Sequence, residues 1–158
     1  MNEYCVVVAN ASRARFFTLE EPKVPEVESA RLIERDDLVD PEATLAGREA
    51  WSDTRSGANA GPGGALTHRY DDHRDAHDQE RGRRFARRIA GAALDMVREQ
   101  EGKCLVVVAG NRMLGHLRPE LETPAGGIEV REAAKDLTAL GPRELLGHLV
   151  TAGLLPAR

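Results

Sequence analysis

Tyr4–Ala9 is a short, unbroken apolar run rich in valine that Asn10-Ala11-Ser12 brings to an end, the pattern of a strand covered on both faces. After that turn, Ala14–Leu19 places Phe16 and Thr18 on one side and Phe17 and Leu19 on the other, which predicts a second strand folded back on the first. Leu32-Ile33-Glu34-Arg35 predicts a third short strand before Asp36-Asp37, with the segment from Pro22 to Pro25 as its turn. Gly57, Gly61, Gly63, Gly64 and Pro62 then interrupt a stretch without apolar periodicity, and residues 54–74 are expected to form a flexible Gly-rich loop. Asp75 is a candidate N-cap for a helix running to about Glu101. Its inward face would carry Phe85, Ile89, Ala92, Ala93 and Met96, and Gly102 would take the C′ position. A second buried strand follows at Cys104–Ala109, then a short helix from Asn111 to Pro119, a strand at Ile128–Val130 and a helix at Pro142–Leu149. A helix feeding a buried strand implies parallel pairing with a right-handed crossover. The expected fold is therefore one α/β domain over residues 1–158, a mixed sheet with flanking helices.

Composition narrows the function classes. At 158 residues, 41% hydrophobic and 30% charged, the chain suits one core and leaves little room for two. A net charge of −4 argues against a protein that is basic throughout, so any contact with nucleic acid has to be local. Cys5 and Cys104 each lie inside a valine run and read as small core residues, which points to a reducing compartment with no disulfide framework or zinc cluster. The apolar runs fall far short of the roughly 18–20 residues of a membrane span, and the N-terminus lacks a basic start and cleavage site. A cytoplasmic protein without membrane partner or cofactor is expected.

Charge is unevenly distributed. From Glu20 to Asp53 there are eleven acidic and four basic residues, a local balance of −7 that should repel polyanions. From His68 to Arg88, seven arginines face five acids, and Arg81, Arg84 and Arg88 fall at helical i, i+3 and i+7. That row could follow a phosphate backbone, with Arg83 and Arg87 as its neighbours. The competing reading is a solvated helix face whose guanidinium groups pair with Asp78, Glu80 and the acidic N-terminal third. Only Tyr70 is near for stacking, which argues against reading of single-stranded bases.

Candidate chemistry is sparser. His68, His73 and His77 among Asp71, Asp72, Asp75, Asp78 and Glu80 resemble a metal or acid–base cluster by composition, but no His-Glu-x-x-His arrangement is present. His77 and Glu80, one turn apart, are the weak catalytic candidates, able to orient a water or a phosphate. Ser12 and Arg13 after the first strand, and Asn111 and Arg112 after the fourth, sit where α/β sheets bind ligands, and Lys135 could reach the same place. Gly61-Pro62-Gly63-Gly64 lacks the Gly-Lys-Ser/Thr ending of a nucleotide-binding loop.

Several blocks, taken together and in order, resemble the bacterial "protein required for attachment to host cells" family. They are Val6-Val7-Val8-Ala9-Asn10-Ala11-Ser12-Arg13-Ala14-Arg15-Phe16-Phe17, Phe85-Ala86-Arg87, Leu105-Val106-Val107-Val108-Ala109, Leu114-Gly115-His116-Leu117-Arg118 and Lys135-Asp136-Leu137-Thr138. The resemblance implies an RNase-H-like domain similar to the central domain of eukaryotic release factors and Pelota, and through them an association with ribosomes or tRNA. Release factors carry a Gly-Gly-Gln tip before a long helix; here Ala65 follows Gly63-Gly64, so peptide release is not implied. The expected function is a non-catalytic module that binds ribosomes or structured RNA. Its contacts would be Gly63, Gly64, Arg81, Arg84, Arg87 and Arg88. Two alternatives stand beside it: a small metal-dependent hydrolase using His77 and Glu80, and a homo-oligomer joining the acidic N-terminal third to the Arg-rich helix of another copy.

Overall fold

The computed structural model describes residues 2–42, 64–122 and 126–157, with residues 64–75 described by backbone alone. Five strands, β1 (Tyr4–Ala9), β2 (Arg13–Glu20), β3 (Arg31–Val39), β4 (Cys104–Ala109) and β5 (Glu129–Ala134), form one sheet in the order β3-β2-β1-β4-β5. Among the described residues the helices α1 (Gly64–Gln100), α2 (Asn111–Glu122) and α3 (Pro142–Thr151) accompany them. β1, β2 and β3 pair antiparallel, whereas β4 runs parallel to β1 and β5 parallel to β4. The chain is thus α/β with a mixed sheet and flanking helices.

The valine runs explain the layering. Val6, Val7 and Val8 lie opposite Val106, Val107 and Val108, so alternate residues of both central strands go to opposite faces. Val7, Phe16 and Val107 pack beneath Phe85, Ile89 and Val97 of α1 and Leu114 and Leu117 of α2. Val6, Val8, Phe17 and Leu19 pack against Leu145 and Leu149 of α3. Cys5 and Cys104 belong to opposite faces of the sheet, so neither can reach the other as a disulfide, and both are free thiols. Burial, with the nearby Cys104, pushes the Cys5 thiol up to about 11.

Several boundaries differ from the sequence expectation. α1 begins at Gly64 and not at Asp75, so residues 64–74 of the expected loop are helical; no proline or glycine interrupts Ala65–Arg81, and polar residues of fair helix propensity suffice there. Residues 54–63 lie outside the described residues. Glu101, not Gly102, takes the left-handed C′ position at φ 51°, with its N–H donating to Arg98 O at 3.2 Å and that of Gly102 to Val97 O at 2.8 Å. Gly102 is needed for space instead, since a Cβ there would lie 3.2 Å from Cys5 Sγ.

β3 continues through Asp36 and Asp37 because both keep their partners on β2, Phe16 and Arg15, and ion pairs to β2 neutralise two of its acids: Arg15 to Glu34 at 2.8 Å and Arg13 to Asp37 at 2.8 Å. α2 passes Pro119, since one further turn buries Leu121. β5 runs to Ala134, matching β4 residue for residue from Cys104↔Glu129 to Ala109↔Ala134. Among the described residues, no helix is long and apolar enough to cross a membrane.

Candidate functional site

Because β1, β4 and β5 are mutually parallel, their carboxyl ends open on the same edge of the sheet, where a crevice is expected. A cleft of about 320 Å³ lies there, lined by Asn10 and Ala11 after β1, Gly110–Met113 after β4, His116 of α2, Asp136 after β5, and Asp78, Arg81 and Gly82 of α1. Its size falls at the low end for small-ligand pockets. The Leu114 N–H donates to Gly110 O at 2.9 Å, which makes Gly110 the N-cap of α2 and turns the positive end of that helix toward the cleft.

One wall is built by a side-chain network. Asn10 Oδ1 accepts from the Ser12 N–H at 2.9 Å, the Ser12 hydroxyl at 3.2 Å and the Arg13 N–H at 2.8 Å. Its amide Nδ2 donates to Thr138 Oγ at 3.0 Å and Asp136 Oδ2 at 3.4 Å. Asp136 Oδ1 accepts from the Thr138 hydroxyl at 2.6 Å and the Thr138 N–H at 3.1 Å. Burial alone would raise the Asp136 carboxyl, but the bonds from Thr138 and Asn10 outweigh it and hold the group below the usual carboxylate range.

His116 forms the floor between the two helices. A Cβ at Gly82 would sit 3.0 Å from its Cδ2 and Nε2, so the ring lies flush on α1 only because residue 82 has no side chain. Nε2 is enclosed and has no hydrogen-bond partner among the described residues. Burial first, then the charges of Arg83 and Arg112, holds the imidazole below its ordinary value.

Arg81 joins this cleft to a second groove of about 310 Å³, lined by Asp40, Pro41 and Glu42 after β3 and by Arg81, Arg84, Phe85 and Arg88 of α1. The guanidinium row is partly neutralised by the protein itself. Arg81 pairs with Asp78 at 3.0 Å and is mostly buried, Arg84 with Glu42 at 2.9 Å, and Arg87 with Glu120 at 3.4 Å. Arg88 lies over the Phe85 ring at 5.7 Å, and neither it nor Arg83 has a carboxylate partner among the described residues. Arg83, Arg84, Arg87 and Arg88 are exposed.

The expected site residues are therefore only partly brought together. Asn111 and Arg112 line the cleft; Ser12 and Arg13 lie behind it, and Arg13 is held by both oxygens of Asp37 at 3.1 and 2.8 Å. Lys135 is exposed outside the lining, and its neighbour Asp136 is engaged by Thr138 and Asn10. His77 and Glu80 are exposed on α1 with no hydrogen bond between them, and no group of three or more metal-ligating side chains occurs among the described residues. Gly64 is the first residue of α1, while Gly63 lies outside the described residues.

Sequence reasoning passed over Asn10, Gly82 and His116 as binding-site residues. The Asp-x-Thr spacing of 136–138 was the one local signal, a side chain bonding the backbone two residues on.

A family model described as "protein required for attachment to host cells" matches residues 5–149, from β1 into the last helix. The chain belongs to that family. No curated protein matches it. The match spans every strand of the sheet and all the residues lining the cleft, so in this host-attachment family member the site lies within the family's own domain.

Proposed function

We propose that this host-attachment family member is a binding module for structured RNA, with the ribosome as the natural source of that RNA and the cytoplasm as its place of action. The continuity of the two grooves through Arg81 carries the reading: one guanidinium lies between the strand-end cleft and a row of exposed arginines on the same helix. Phosphates spaced along a backbone would meet Arg88, Arg84 and Arg83 in succession, while the α2 N-terminus and Arg112 offer a further anionic contact in the cleft. Exchange of Glu42 and Glu120 for phosphate would release two more guanidinium groups without repacking the core, because both ion pairs are exposed.

The strand order β3-β2-β1-β4-β5, with the antiparallel run β1-β2-β3 beside the parallel pairings of β1 with β4 and β4 with β5, supports an RNase-H-like domain akin to the central domain of release factors and Pelota. In that reading the ends of β1 and β4 carry Asn10 and Asn111, neutral amides, and Ala65 replaces the glutamine of a release tip. Binding without bond cleavage fits both. The test is co-sedimentation of the protein with ribosomes at low and at high salt. Association that dissolves as ions screen it supports the reading; no association at low salt overturns it.

A further inference from the structure

The contact between His116 and Gly82 holds a titratable ring where its second proton has no acceptor. The Nε2 edge faces a residue without a side chain, is closed to solvent, and meets no hydrogen-bond partner among the described residues. Neutral imidazole tolerates this, with its proton on Nδ1 and the Nε2 lone pair enclosed. Imidazolium does not: an N–H at Nε2 would point at α1 backbone with nothing to receive it.

The charged groups around the ring reinforce this. On α1 these are Asp78, Arg81 and Arg83; on α2, Arg112; after β5, Asp136. Arg83 and Arg112 repel a cation at His116. Both carboxylates are already occupied, Asp78 by Arg81 at 3.0 Å and Asp136 by Thr138 and Asn10.

We propose that the His116–Gly82 contact is an acid-sensitive latch between α2 and α1, closed while the imidazole is neutral and released when it takes up a proton from solvent. Release frees the turn of α1 that carries Arg81 and Arg83, and with it one wall of the cleft. The sign follows from the direction of the His116 shift. A ring that binds its proton less readily in the closed state stabilises that state above the ordinary value of 6.5 and ceases to do so as pH falls. The consequence for RNA rests on the reading of α1 given above; the latch itself does not.

Amide hydrogen exchange of residues 76–90, corrected for intrinsic rates and measured without RNA, tests the latch, with His116 titrated by NMR on the same samples. Protection of this segment is expected to fall about tenfold between roughly pH 7.5 and pH 5, with a midpoint matching that of the ring. His116→Asn should show no such step. Gly82→Ala supplies a second arm that does not depend on the folding of the first. Its Cβ displaces the ring, so the segment should exchange at neutral pH as the native protein does in acid, and His116 should take up its proton more readily than in the native protein. Protection independent of pH, or an acid step that persists in His116→Asn, overturns the latch. Either result leaves RNA binding to be judged by sedimentation alone.

Discussion

Asn10 Nδ2 donates to Thr138 Oγ at 3.0 Å, tying the turn after the first strand to the loop after the last across 128 positions of sequence. The same side chain accepts two backbone N–H groups from the β1–β2 turn. Asn10→Ala removes all of these at once and leaves their donors without a partner. It is expected to cost about 1–3 kcal/mol in urea unfolding, with the sheet intact by circular dichroism. Asn10→Asp should retain the turn bonds but lose the donor to Thr138 and Asp136, giving a smaller cost.

Arg15 is a charged side chain buried against the sheet. It is 8% exposed, bonds both oxygens of Glu34 at 2.8 and 3.0 Å, and donates to the Thr138 and Leu140 carbonyls. Arg15→Met strands these acceptors and should destabilise by about 2–4 kcal/mol, below the range for a fully buried pair because Glu34 keeps about a third of its side chain in water. Arg15→Lys should recover little, since an ammonium cannot span the carboxylate and two carbonyls as a fork does. Thermal unfolding of both variants checks this.

Acid should weaken the fold in a defined window. A hydrogen bond from Arg13 lowers the Asp37 carboxyl, one from Arg15 lowers that of Glu34, and Asp136 is lowered as described above. Each binds a proton less readily folded than unfolded. Their stabilisation is therefore complete above the ordinary carboxylate values of 3.8 to 4.5 and declines as pH drops through the lower folded ones. Urea midpoints measured from about pH 6 down to pH 3 should fall below about pH 4.5, less steeply in Asp37→Asn.

Glu101 closes α1 in a conformation that disfavours an L side chain. Glu101→Gly should stabilise the protein by about 1 kcal/mol. Gly102→Ala should do the reverse, because its Cβ would press on the buried Cys5 Sγ at 3.2 Å. Paired thermal melts of the two variants decide it.

The sheet was largely legible because its strands announce themselves: two valine runs of matching length can only be central, and Phe16 and Phe17 alternate faces as period two demands. Boundaries set by tertiary pairing were not. β3 carries Asp36 and Asp37 as a strand through its pairing with β2, where Arg15 stands opposite Asp37 and Arg13 binds the same carboxylate, and no local pattern encodes that. Of the site, the arginine row and the strand-end turns were visible as spacing. Asn10, Gly82, His116 and Asp136 come from four separate elements, and their meeting depends on the parallel register of β1, β4 and β5.

The salt dependence of affinity for a structured ribosomal RNA fragment tests the central claim most directly, comparing the native protein with Arg83→Glu/Arg88→Glu. Both arginines are exposed and lack carboxylate partners among the described residues, so the fold should survive. The native protein is expected to show a falling line of log affinity against log salt, and the double variant to bind at least about tenfold more weakly with a slope shallower by roughly 1 to 2. Equal affinity and equal slope for the two proteins would contradict the account.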